Sequence, residues 1–156
     1  MSPFLRSPIP SDYAAIASWI PDATACARWA GPQMRYPFLP AELPELLASE
    51  NASSYAMVDA ASGMLGFGQL VRQQRSVLRL SRIIIAPHRR GLGLGASMCR
   101  LLLAQATSYP EVELVTLGVY RDNSPAIALY SRLGFAERTL HPGPEIMAME
   151  RVITHD

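Results

Sequence analysis

The chain has 156 residues, 49% of them hydrophobic, and a formal charge of +1. That is enough apolar chain for one folded domain, expected to span residues 1–156, and too apolar for disorder. The charge offers no field for nucleic acid or an anionic membrane, no apolar run nears the ~18 residues of a span, and the N-terminus lacks a secretory pattern, so a cytoplasmic protein is expected. All 14 Lys+Arg residues are arginine, which removes Schiff-base lysines and Walker-type phosphate contacts. Cys26 and Cys99 have no metal-ligand spacing, so two reduced, packed cysteines and no metal are expected.

In chain order, "SDYAAIASWI" predicts a helix capped by Ser11 or Asp12 and stopped by Pro21. "DATACARWAGP" predicts a short second helix ending at Gly31-Pro32, and "PAELPELLASE" a third over about 40–50. "SSYAMVDAASGMLGFGQLVRQ" then reads as two strands around a turn at Ser62-Gly63. "SVLRLSRIIIAP" is a long strand that ends in a continuously apolar run, as a buried central strand does. "GASMCRLLLAQAT" predicts a helix with Met98, Leu101, Leu102 and Gln105 at helical intervals. "VELVTLGVY" is a second buried strand. "SPAIALYSRLGF" is a helix with Pro125 in its first turn and Gly134 at its end, and Glu137 to Val152 holds one or two final strands. The expected class is α+β.

The densest signal is "PHRRGLGLGAS", between a strand and a helix. Unpaired N–H groups at a helix start carry the positive end of the helix dipole, and glycines keep side chains out of a ligand's way. With Arg89 and Arg90 in front, Gly91, Gly93 and Gly95 make an anion cradle suited to phosphate or pyrophosphate. The dinucleotide fingerprint fits formally at Gly91, Gly93 and Ala96, with Glu113 downstream. Against it, Pro87-His88-Arg89-Arg90 separate the strand from the first glycine, and Glu113 begins a strand instead of ending one. Too little chain also follows to complete a doubly wound sheet.

Two motifs decide the matter. Ile85-Ala86-Pro87 followed by Arg90-Gly91-Leu92-Gly93-Leu94-Gly95 resembles the pyrophosphate loop of the GNAT superfamily of acetyl-CoA-dependent N-acetyltransferases. One helix and one strand later, Asn123, Ala126, Leu129, Tyr130, Gly134 and Phe135 match that family's downstream element in register. The resemblance covers about residues 76 to 136. It implies a central mixed, strongly bent sheet flanked by helices, with the N-terminal helices on the acceptor side. It implies acetyl transfer to the amine of a small molecule or peptide by direct attack in a ternary complex, in a monomer or homodimer, with no nucleic acid, membrane or metal partner. By the same resemblance, Arg89, Arg90, Gly91, Leu92, Gly93, Leu94, Gly95 and Ala96 hold the pyrophosphate. Ile83, Ile84 and Ile85 pair with the pantetheine arm, which Asn123 and Ala126 also approach. A bulge in this strand frees a backbone N–H, at about Ile85, toward the thioester oxygen, and Tyr130 is the general acid.

The match has a gap. Members of the family often carry a carboxylate base on the long strand, but "SVLRLSRII" has none, and Arg79 and Arg82 stand there instead. The base is therefore open among Tyr120, a carboxylate of the N-terminal helices, and water alone; His88 sits on the phosphate side. The gap also keeps open a sensor of the same fold that binds acetyl-CoA without transferring. Acceptor choice should lie in the N-terminal half, where Trp19, Trp29, Tyr36 and Phe38 with Arg28 and Arg35 suit either a pocket wall or plain core and surface.

Overall fold

The computed structural model describes residues 2–61, 63–138 and 144–155. A short strand β1 (Phe4–Arg6) precedes α1 (Pro10–Ser18), α2 (Ala23–Ala30), a 3-10 turn (Pro40–Glu42) and α3 (Leu43–Leu47). Then come β2 (Ala52–Asp59), β3 (Gly63–Gln74), β4 (Val77–Ile85), α4 (Leu94–Thr107), β5 (Leu114–Tyr120), α5 (Ser124–Arg132), β6 (Ala136–Glu137) and β7 (Ile146–Val152). They form one seven-stranded sheet in the order β1-β2-β3-β4-β5-β7-β6. Every neighbouring pair is antiparallel except β4 and β5, which run parallel through the α4 crossover.

The helix ends follow their local chemistry. Asp22 caps α2 by accepting from the Ala25 N–H at 2.8 Å, and Gly31 ends it at φ +93. For α1 the expected cap is displaced: the helix begins at Pro10, and Asp12 lies in its first turn. The buried Asp12 carboxylate accepts from the Ile9 N–H at 2.8 Å and from both terminal nitrogens of Arg6 at 2.6 and 3.1 Å. That fork ties α1 to β1, a strand the sequence reading missed because three residues carry no period. The third helix is also shorter than expected, a 3-10 turn and five α-helical residues. The β2–β3 turn expected at Ser62-Gly63 falls partly outside the described residues, since Ser62 is not among them.

Two apolar clusters lie around the sheet. Helix α4 buries Met98, Cys99, Leu102, Leu103 and Ala106, one residue round from the face expected, and all but Cys99 join the cluster of β2–β5 and β7. Burial pushes the Cys99 thiol up to about 12, so it stays protonated and inert. The second cluster joins Ile16, Ile20, Cys26, Leu43 and Leu47 of the N-terminal helices to Phe67 and Ile84 of the sheet. Gln69, fully buried, donates to Leu47 O at 2.9 Å and Ser54 Oγ at 3.0 Å, so its polar atoms are matched.

Candidate active site

Strands β4 and β5 pair only from Val77–Leu114 to Arg79–Thr116, then part. The cause lies in β4. Its register against β3 passes from Gln69–Ser81 to Phe67–Ile84, so β4 holds one extra residue. Arg82 sits in that bulge at φ +52, the only non-glycine residue at positive φ among those described. Two contacts to α2 hold it: the Trp29 indole donates to Arg82 O at 2.8 Å, and Arg82 Nε donates to Ala30 O at 3.4 Å. A third, Arg82 Nη1 to Gln69 Oε1 at 2.9 Å, fixes the guanidinium.

Beyond the bulge, the Ala86 N–H bonds Leu65 O of β3. Backbone groups alternate along a strand, so those of Ile85 and Ile83 point to the other side, where β5 has left. The Ile85 carbonyl accepts from Arg90 Nε at 3.2 Å, while the two N–H groups are open donors on the cleft edge. At the end of this edge the chain turns through Gly91 and Gly93, at φ +81 and +80. A Cβ at either would meet nothing within 4 Å, so backbone conformation, more than crowding inside the protein, demands glycine there. The first backbone bond of α4 is Ser97 N–H to Gly93 O, which leaves the Leu94, Gly95 and Ala96 amides without intrahelical partners.

The opening holds two adjoining cavities. The larger, about 820 Å³, is bounded by β4 at Ile83, Ile84 and Ile85, by Arg89, Arg90, Gly91, Gly93, Leu94 and Gly95, and by Ser18 to Pro21 at the end of α1. The smaller, about 260 Å³, lies against Arg79 to Ile83, Leu117 to Tyr120, α2, and Ala126 and Tyr130 of α5. Arg28, Trp29, Ile83, Tyr120 and Asn123 border both. The sequence-selected residues thus come together with two exceptions: Leu92 is exposed and lines neither cavity, and Ala96 offers only its amide. His88 is exposed and lines neither.

Tyr130 packs edge-on against Phe135, ring centroids 5.9 Å apart. Burial, with a smaller contribution from Cys99, raises its phenol above the usual value, so it holds its proton. Asn123 caps α5 by accepting from the Ala126 N–H at 3.3 Å. Tyr120 carries the Arg28 guanidinium over its ring at 4.1 Å, and Arg28 also pairs with Asp122 at 2.7 Å. Among the described residues, no carboxylate lines either cavity. Asp22 caps a helix, and Glu42 accepts from the Leu39 N–H and from Arg35. Of the four aromatics singled out as a pocket wall, Trp19 and Trp29 border the cleft, while Tyr36 and Phe38 pack on each other at 5.9 Å within the helical cluster. The family resemblance implies a bulge in this strand; that it falls at Arg82 leaves no mark in the sequence, because a non-glycine residue at positive φ has no signature.

Solved structures with this architecture include spermidine N-acetyltransferase from Vibrio cholerae with CoA and spermine, at TM-score 0.80, 20% identity, and coverage of 97% of this chain and 95% of that one. Another is AAC(6')-Ib with ribostamycin and coenzyme A, at TM-score 0.78, 22% identity, and coverage of 97% and 94%. At such identities the likeness concerns the fold. Mycothiol acetyltransferase of Actinosynnema mirum is 35% identical over 81 residues, which is 51% of this chain but only 26% of that protein's length. No helix among the described residues is long and apolar enough to cross a membrane. The pattern of the acetyltransferase (GNAT) family matches residues 23–135, which include the bulged strand, the glycine turn and the α5 element, and the chain belongs to that family.

Proposed function

We propose that this chain transfers an acetyl group from acetyl-CoA to a primary amine by direct attack in a ternary complex. The observation that carries the reading is the parted β4–β5 pair, whose opening runs from the free amides at the start of α4 to the Tyr130 phenol. The larger cavity has the size of a cofactor site.

Acetyl-CoA supplies an activated thioester carbonyl; this chain's residues hold, polarise and protonate. The amides of Gly91 to Ala96, at the positive end of α4, receive the pyrophosphate, with Arg89 and Arg90 adding charge. Ile83 and Ile85 offer strand-like donors and acceptors to the amide-bearing pantetheine arm, with Ile84 holding the edge in place and Asn123 and Ala126 flanking it. The Ile85 N–H, or that of Ile83 beside the bulge, meets the charge developing on the thioester oxygen. Tyr130, kept protonated by burial, donates to the departing sulfur. Among the described residues no carboxylate lines the cleft, so the amine proton passes to water.

The test is thermal and kinetic. Acetyl-CoA raises Tm and NAD does not, and free CoA is released when a suitable amine is present. Equal stabilisation by both, or by neither, overturns the cofactor assignment. Binding without release for any amine selects the sensor reading.

A further inference from the structure

The acceptor half of the cleft carries a charge pattern that acetyl transfer by itself does not require. Arg79 and Arg82 of β4 and Arg28 of α2 line the smaller cavity. Arg28 is neutralised by Asp122. Arg82 is bound only by neutral oxygens, those of Gln69 and Ala30. Among the described residues, Arg79 has no hydrogen bond or ion pair, although it is half-buried. Burial works against the charge on both Arg79 and Arg82. A guanidinium taken out of water without an anion is costly, and proteins pair such groups. The guanidinium head lies against β5 where the strand carries no side chain: a Cβ on Gly118 would come within 2.8 Å of Arg79 Nη2 and push that head aside.

Resting on the acetyl-transfer reading, we propose that the acceptor is a small primary amine bearing an anionic oxygen group, a carboxylate or a phosphate, held by Arg79 and Arg82. A planar guanidinium fork suits either group. A volume of about 260 Å³ suits a molecule of amino-acid size. Polyamines and other polycations meet two unneutralised positive charges and are disfavoured. Among the described residues, the other titratable groups facing this cavity are the phenols of Tyr120 and Tyr130 and the paired Arg28, and no negative side chain there offsets the field. Such a field also favours the neutral, nucleophilic form of the bound amine, and this fits a site without a carboxylate base.

The experiment measures CoA release from acetyl-CoA with free amino acids, their carboxamides, phosphoethanolamine and spermidine. Expected is a free amino acid, or phosphoethanolamine, used with kcat/KM ~10²-fold or more above its uncharged or cationic counterpart, since sites built around a polar group reject analogues lacking it strongly. The two anionic arms separate carboxylate from phosphate. Arg79→Gln should raise KM for that acceptor ~10-fold or more and leave the acetyl-CoA Kd unchanged, and Arg79→Lys should recover part of the loss. Gly118→Ala should act in the same direction by displacing the guanidinium. A readout apart from turnover is calorimetric binding of the N-acetyl amino acid, or of N-acetylphosphoethanolamine, to the protein without CoA, weakened in Arg79→Gln. Carboxamides or spermidine used as well as the anionic amines overturn the inference while acetyl transfer stands. Acetyl-CoA binding with no release for any amine removes both.

Discussion

The two ends of the cleft are built differently. The end we propose for the donor is made of backbone: open amides on β4, a turn through two left-handed glycines, and the unpartnered first turn of α4. The acceptor end is made of side chains brought together from α2, β4, β5 and α5. Backbone sites restrict which residues fit, because only glycine takes positive φ at no cost, and so they leave a local sequence signature. Side-chain sites are assembled by tertiary packing, and their members lie tens of residues apart. The donor is thereby legible and the acceptor is not.

The largest effect expected falls where the two ends meet. Tyr130→Phe removes one hydroxyl and should lower kcat ~10²- to 10³-fold, the range for a lost proton donor, with acetyl-CoA affinity nearly unchanged. Steady-state kinetics beside calorimetry would check it. Unchanged turnover would take Tyr130 out of the chemistry and make it a packing partner of Phe135.

The next variant isolates the donor end. Gly93→Val forces a β-branched residue to φ +80, where the turn has space but the backbone is strained. Acetyl-CoA affinity should weaken ~10- to 10²-fold, a loss of about 1.4–2.7 kcal/mol, while the backbone strain lowers Tm by only a few degrees without ligand. If affinity holds, the turn is structural and the comparison between the two ends fails.

How far the sequence reached follows the same division. The glycine turn, the α4 start, the Asn123-to-Phe135 element and the succession of elements along the chain from β2 onward are legible in the sequence, while the strand order of the sheet is not. A bulge in β4 is expected from the resemblance, but its place at Arg82 is not. Its residue type gives no hint, because Trp29, Gln69 and Ala30 hold the conformation from a distance in sequence. The gap left by the expected strand carboxylate is seen in the sequence, and so are Arg79 and Arg82 within it, but not that the Arg79 guanidinium lies against Gly118 across the sheet. Strand β1 escaped because it exists through pairing with β2 and through the Arg6–Asp12 fork, neither of which is local.

A smaller effect should separate stability from chemistry on the acceptor side. Asp12→Ala leaves the Ile9 N–H and the Arg6 fork without their acceptor and should cost about 1–3 kcal/mol of unfolding free energy, read by urea denaturation. The donor cradle lies on other elements, so acetyl-CoA affinity should fall far less than in Gly93→Val. A comparable loss would mean that the two ends are mechanically one.

The smallest expected effect is a flat line. Burial places the Tyr130 phenol above its ordinary value, so in the folded protein it keeps its proton through the range where a free tyrosine begins to ionise, near pH ~10. As an acid it is fully available from neutrality to pH ~9.5, and kcat should show no alkaline fall attributable to it there. The sign for stability is the opposite of a benefit at high pH. Above the unfolded value the unfolded chain releases this proton and the folded one does not, so the contribution present below pH ~10 is lost as pH rises further. A kcat profile that drops between pH 8 and 9 in the native protein, and loses that drop in Tyr130→Phe, would show a phenol ionising early. The proton donor would then sit in a wetter, more positive place than the cleft provides.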